Sequence, residues 1–196
     1  GRGLQFTGLK DQAARERHMP MLTPLPQGVA FSESERGGDL TYHGPGQLVI
    51  YPICKLDGEG FGPHHDIAGF LRKFEQVLID EVDTWLQGQG NALARENATG
   101  VWVQLADKPE PRKVASMGIA VRRWVTYHGL AINCVNDLAS FQLISPCGYA
   151  PEVMTRLLDC LEPLSGQRAL LEDWSARGRP ELERRLSERF GHDLRV

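Results

Sequence analysis

Arg36-Gly37-Gly38-Asp39-Leu40-Thr41-Tyr42-His43-Gly44-Pro45-Gly46-Gln47 runs straight into the apolar segment Leu48-Val49-Ile50-Tyr51-Pro52-Ile53. Four glycines and a proline in twelve residues cannot form a helix interior, because each glycine must give up extra backbone freedom and proline has no amide proton. The stretch reads as a loop held for a purpose, and the β-branched, aromatic segment after it reads as a buried strand. On composition alone it also fits a plain Gly-rich turn with a capping aspartate.

Working outward, Thr126-Tyr127-His128-Gly129 repeats the Thr-Tyr-His-Gly of residues 41–44 and continues as Leu130-Ala131-Ile132-Asn133. Lys113 to Val121 and Val125 to Val135 alternate in polarity about Arg122-Arg123-Trp124, which predicts a β-hairpin. Ile67, Leu71, Phe74, Leu78 and Val82 recur at spacings of three and four, which predicts an amphipathic helix within His64 to Leu86. His64, His65 and Asp66 open that segment. Adjacent histidines on a helix face different directions, so capping is favoured over a metal cluster, and no metal is expected.

Gly28 to Phe31 and Thr99 to Leu105 read as strands, Asp107 to Pro111 as a hairpin tip, and Asn91 to Asn97 as a polar loop. Met19 to Gln27 is Pro-rich and connective, and Asp57 to Pro63 is a Gly-rich turn. Helices are expected over Met154 to Leu164, Leu170 to Ala176 and Glu181 to Phe190. The 196 residues fit one domain, 1–196, with a core that needs no covalent staples.

A net charge of −3 supplies no field toward nucleic acid or an anionic membrane, so neither is an expected partner. Four cysteines, Cys54, Cys134, Cys147 and Cys160, include no C-x-x-C pair, which disfavours zinc and disulfide frameworks. With no signal-like or membrane-spanning run, a cytoplasmic setting is expected.

Cys147 is the candidate nucleophile. Pro146 and Gly148 force a sharp turn that keeps its thiol accessible, whereas the other three cysteines lie in apolar patterns and read as inert core residues. A free thiol has a pKa of about 8.5 and needs a cation or base beside it to react at neutral pH. Lys113, thirty-four positions upstream, is the candidate, though on pattern alone it reads equally as a solvent-facing lysine. Strand alternation puts Lys113, Ala115 and Met117 on one face.

The Arg-Gly-Gly-Asp-x-Thr-Tyr-His-Gly-Pro-Gly-Gln loop, followed in order by Lys113-Val114-Ala115-Ser116-Met117-Gly118 and Pro146-Cys147-Gly148, resembles the lipoyl(octanoyl) transferase family from Arg36 to about Leu158. The opening Gly1-Arg2-Gly3 is similar to the end of that family's first strand, so part of the front end is expected to be missing. The resemblance implies an α/β fold, a mixed β-sheet flanked by helices, like the catalytic domain of biotin and lipoate protein ligases.

It implies transfer of an octanoyl (or lipoyl) group from acyl carrier protein to a lysine of lipoyl domains, the first step of endogenous lipoate biosynthesis. The acceptors would be the lipoyl domains of 2-oxoacid dehydrogenase complexes and the glycine cleavage H protein. Cys147 would carry the acyl group as a thioester and Lys113 would lower its pKa and later accept a proton; no cofactor is required.

Substrate would lie along Arg36, Gly37, Gly38, Asp39, Leu40, Thr41, Tyr42 and His43, at Ser116, Met117 and Gly118, and at Gly129, Leu130 and Ala131. Bare glycines would let backbone approach the acyl chain, and burying about six methylenes at roughly 0.8 kcal/mol each supplies about 5 kcal/mol. His43 and His128 read either as groups that orient the thioester or shuttle a proton, or as structural rings bonded to nearby carbonyls. Gly148 and the Gly44 to Gly46 turn are candidate oxyanion donors. Arg112, Lys113, Arg122 and Arg123 form a basic quartet that either steers an acidic carrier or is simply solvated. An ATP-dependent lipoate protein ligase and a silent acyl-binding module are the alternatives on the same fold.

Overall fold

The computed structural model describes residues 4–8, 29–38, 40–57, 65–144, 146 and 149–191. The expected Met19 to Gln27 connection, most of the Asp57 to Pro63 turn, and His64 lie outside those residues.

A single long helix organises one side of the molecule. Helix α1 (Ile67–Leu86) starts where Asp66 accepts a hydrogen bond from the Gly69 amide at 2.7 Å and stops where Gln87 turns left-handed. Its buried stripe is Phe70, Phe74, Leu78, Val82 and Trp85, one position off the expected stripe at its front end. Ile67 is 39% exposed and Leu71 is half-buried at the rim of the core. Complete burial of Phe70, Phe74 and Leu78 is worth about 2–3 kcal/mol for each side chain.

That stripe packs on a five-stranded sheet in the order β4-β8-β7-β6-β5. Its strands are β4 (Gln47–Ile50), β5 (Gly90–Leu93), β6 (Gly100–Leu105), β7 (Arg112–Arg122) and β8 (Val125–Asn133), all antiparallel. Leu48, Ile50, Val101, Val103, Leu130 and Ile132 meet the helix in one core. A second sheet, ordered β2-β1-β3, joins β1 (Leu4–Gly8), β2 (Val29–Glu33) and β3 (Thr41–His43). Only its β1/β2 pair is parallel. The α/β class is as the resemblance implies, and among the described residues the parallel pairing between named strands is β1 with β2.

The predicted hairpin is β7–β8, and its two turn residues, Arg123 and Trp124, both have positive φ (52° and 62°). Such primed turns match strand twist but normally ask for Asn or Gly. Here Trp124 is held from outside the hairpin: its carbonyl accepts from the Leu56 amide at 2.7 Å and its ring stacks on His65 at 4.0 Å.

Two expectations give way. Asn91 to Asn97 is not all loop, because residues 90–93 form edge strand β5, whose ladder tolerates polar side chains that face water. Met154 to Leu164 is not an α-helix: a 3₁₀ turn at Pro151–Val153 precedes it and a single 3₁₀ turn at Leu157–Cys160 lies within it. Its backbone is spoken for elsewhere: the Thr155 amide donates to the Lys113 carbonyl at 2.9 Å and the Leu158 amide to that of Cys134 at 3.1 Å.

Helix α2 (Gly166–Glu172) then passes through a π turn at Trp174–Gly178 into helix α3 (Arg179–Phe190), which packs on α1. Between α1 and α3 the buried carboxylate of Glu81, 1% exposed, accepts from Trp85 Nε1 at 2.8 Å and from Arg185 and Arg189 Nε at 2.5 Å. Its removal strands a buried indole N–H and two partly buried guanidiniums. Glu81→Ala is expected to cost about 3 kcal/mol. Thermal unfolding should then shift down by roughly 6–12 °C; an unchanged midpoint would show that the Glu81 hydrogen bonds contribute nothing.

Candidate active site

The face of the large sheet opposite α1 carries the candidate chemistry. Along β4, β7 and β8 the core takes Leu48, Ile50, Met117, Ile119, Leu130 and Ile132. Alternation turns Val49, Ser116, Gly118, Gly129 and Ala131 to the other side. The registers Val49↔Ala131, Ser116↔Ala131 and Gly118↔Gly129 set these residues side by side.

Across from them stand Ser32 of β2, Thr41 and His43 of β3, and Ser34 and Arg36 of the intervening loop. The space between is a cavity of about 320 Å³, bordered also by Tyr51 and His128. A neighbouring cavity of about 540 Å³ shares Met117 and Gly118 with it and is lined by Gly37, Gly38, Lys113 and Tyr149. Both sizes fall within the roughly 300–1,000 Å³ of small-molecule sites.

Lys113 does not share a face with Ala115 and Met117. Val101 pairs with Ala115 and Trp102 with Lys113, so Val114 is an extra residue on β7 at a β-bulge. Val114 and Ala115 both enter the helix-side core, and the bulge sends Lys113 to the side of Ser116 and Gly118. The side chain is 3% exposed. Its Nζ lies 5.4 Å from the Trp102 ring centre and 5.6 Å from that of Tyr149, a cation–π geometry in which the rings offer a charge at Nζ some compensation for lost water. The lysine is therefore not solvent-facing, and it cannot belong to a steering surface.

Cys147 and Gly148 lie outside the described residues, as does Asp39. Their neighbours do not: the Tyr149 amide donates to the Pro146 carbonyl at 3.1 Å, and the Tyr149 ring is the one beside Lys113. The other cysteines carry thiols disfavoured for ionisation. Burial drives the pKa of Cys134 far up and that of Cys160 up to about 11, and burial also raises that of half-buried Cys54.

The expected binding residues divide. Arg36, Thr41, His43, Ser116, Met117, Gly118, Gly129, Leu130 and Ala131 border the first cavity, and Gly37 and Gly38 the second. Leu40 and Tyr42 turn the opposite way, into a small cluster with Phe141, Ile144 and Met154. The reason given for two glycines also changes, because the protein's own chain crowds them. A Cβ on Gly118 would fall 2.3 Å from the Gly37 carbonyl oxygen, and one on Gly129 would fall 1.9 Å from that of Ile50. Gly44 is not an available oxyanion donor, since its amide donates to Gln47 Oε1 at 3.2 Å.

Ser32, Ser34, Val49, Trp102 and Tyr149 carried no sequence signal for this site. Trp102 and Tyr149 matter only because a fold brings them to Lys113.

The catalytic-domain profile of the lipoyl protein ligase A/B family matches residues 7–170. An octanoyltransferase of Laribacter hongkongensis is 36% identical over 176 residues, covering 89% of this chain and 74% of the relative. One of Syntrophobacter fumaroxidans is 38% identical, covering 82% and 70%. Among solved structures, a putative lipoate protein ligase from T. acidophilum with bound lipoic acid superimposes with a TM-score of 0.64 at 16% identity, covering 99% of this chain and 71% of that one.

Proposed function

The chain belongs to the lipoyl protein ligase A/B catalytic family, and from that premise we propose that it is an octanoyltransferase working through an acyl-enzyme on Cys147. The observation that carries the reading is the placement of Lys113. Its side chain is buried with Nζ 5.6 Å from the ring centre of Tyr149, and the chain from Tyr149 back to Cys147 spans at most about 7.6 Å between Cα atoms. The similarity to octanoyltransferases supports the substrate class.

The ammonium of Lys113 stabilises the Cys147 thiolate. The thiolate attacks the carbonyl carbon of the octanoyl thioester on acyl carrier protein; a C–S bond forms, and the pantetheine sulfur leaves and takes up a proton. The amine of a lipoyl-domain lysine then attacks the octanoyl-Cys147 thioester, forming the amide and returning the thiolate. A thioester is already activated, so the scheme calls on no nucleotide. Two half-reactions at one site predict ping-pong kinetics.

The octanoyl chain occupies the cavity over Val49, Ser116 and Ala131. The carrier protein docks beside Arg122 and Arg123, which are exposed at the hairpin tip and line a groove with Ile53 and Val125. Arg112 is half-buried and Lys113 buried, so the basic surface is this arginine pair rather than a quartet.

The test is to incubate the protein with octanoyl-acyl carrier protein, without ATP, and measure its intact mass. One octanoyl adduct, mapped to Cys147, is expected. An adduct that forms only from octanoate with ATP would make the protein a ligase instead. Octanoate binding with no adduct under either condition would make it a silent binding module.

A further inference from the structure

The floor of the first cavity is graded in size. Alternation turns Ser116 and Gly118 of β7 toward it, Gly129 and Ala131 of β8, and the larger, branched Val49 of β4. Strand register sets Ser116, Ala131 and Val49 in one row across the sheet. Small side chains thus underlie the row from β7 to β8, and a branched one stands at its β4 end.

The two ends of that row differ. At the β7 end the cavity adjoins the one that Lys113 lines, with Met117 and Gly118 common to both. At the other end β4 is the edge strand of the five-stranded sheet, and the corner beside Val49 is stitched shut. Gln47, two residues before Val49 and on the same face of β4, donates from Nε2 to the Tyr42 carbonyl of β3 at 3.2 Å and to Asn133 Oδ1 of β8 at 2.8 Å. Its Oε1 accepts from the Gly44 amide at 3.2 Å. These bonds tie the smaller sheet to the larger one next to Val49.

The cavity has one other direction, along the strands past Gly118 and Gly129 toward His128 and Tyr51. Tyr51 is 52% exposed, so that side opens toward water. An apolar chain end gains most where water is excluded, which favours the stitched corner at Val49 over the open side at Tyr51.

Length decides how much chain the row accepts. Neighbouring strands lie about 4.8 Å apart, so Ser116 to Val49 covers about 9.6 Å. An extended hydrocarbon with bonds of about 1.52 Å advances about 1.25 Å per carbon. From first carbon to last, a chain of six spans about 6 Å, one of eight about 9 Å and one of ten about 11 Å. Eight carbons match the row.

We propose that Val49 is the end stop of an acyl ruler. A saturated chain lies across β7, β8 and β4 with its carbonyl carbon over Ser116 and its terminal methyl against Val49, and the width of the three strands sets the preference for eight carbons. The direction of the chain rests on the octanoyl transfer reading, which puts the carbonyl end on the Lys113 side.

The test titrates hexanoate, octanoate and decanoate into the protein by calorimetry, beside transfer from the matching acyl-acyl carrier proteins to a lipoyl domain. Each methylene that finds apolar cover is worth about fourfold in affinity. Wild-type affinity should rise about 15-fold from hexanoate to octanoate and by less than about twofold from octanoate to decanoate. Val49→Ala takes two carbons from the stop, and decanoate should then bind roughly tenfold tighter than octanoate. With Val49→Phe the rise should end at hexanoate. Transfer should follow the same orders of chain length.

An unchanged length profile in Val49→Ala, a wild-type affinity that climbs steadily through decanoate, or no binding of any of the three would overturn the ruler. A profile that shifts with Tyr51→Ala and not with Val49→Ala would put the methyl at the open side and overturn it as well. The expected binding pattern with no transfer from any carrier would support the ruler and overturn the octanoyltransferase reading. Should Val49→Ala fail to fold, Val49→Ile decides, because isoleucine keeps the β-branch that suits a strand. Its added methyl should weaken octanoate about fourfold relative to hexanoate, and an unaltered ratio would overturn the proposal.

Discussion

Cys147→Ser is expected to reduce net octanoyl transfer by at least about 1,000-fold, a loss of roughly 4 kcal/mol of transition-state stabilisation. A serine hydroxyl is a weak nucleophile at its free pKa, and the ammonium that suffices for a thiol does not ionise it. No other sulfur can stand in. Cys134 and Cys160 are buried, and burial raises the pKa of all three remaining thiols. The readout is turnover with octanoyl-acyl carrier protein and a lipoyl domain, together with intact mass. Substantial residual transfer, or an adduct mapped to Cys54, would remove the acyl-enzyme at position 147.

Lys113→Met is expected to leave a folded protein with a sluggish thiol. Methionine is unbranched and apolar, and the site beside Trp102 and Tyr149 suits a thioether, whose contact with aromatic rings is worth about 0.3–1.5 kcal/mol. The missing charge returns Cys147 toward the ordinary thiol pKa of about 8.5, leaving only a few per cent thiolate at pH 7. Alkylation of Cys147, followed by peptide mass across pH, should shift its midpoint upward by at least about one unit, which corresponds to about 1.4 kcal/mol of lost thiolate stabilisation. Turnover at pH 7 should fall about 10- to 100-fold in step with the thiolate fraction. An unshifted profile would show that the lysine does not tune the sulfur.

Much of the architecture was legible because it is periodic or punctuated. The β7–β8 hairpin announced itself by alternation, the long helix by its spacing, and the first loop by its glycines. Features set by contacts distant in sequence were not. Gln47 and Asn133 are 86 positions apart, and nothing in either neighbourhood announces their bond. Residues 154–160 have the spacing of a helix, yet their amides are drawn to the Lys113 and Cys134 carbonyls.

The candidate site was legible as stretches rather than as side chains. Residues 36–43 form one contiguous motif, but a strand presents alternate residues to one side. Thr41 and His43 reach the cavity while Leu40 and Tyr42 are spent on packing. Resemblance marks a segment, and only geometry shows which half of it meets a ligand.

The added residue at Val114 has a bearing on how such chemistry is inherited. In a strictly regular β7 the ammonium would point among the aliphatic side chains beneath α1, where a charge has no counterpart. The ammonium keeps its side because Lys113 stays paired with Trp102 while Val114 is accommodated as the added residue. A sister chain without that residue would need no bulge and would present its lysine to the same side, whereas one that kept the residue but took it into the regular ladder would have nothing there to sustain an ionised sulfur.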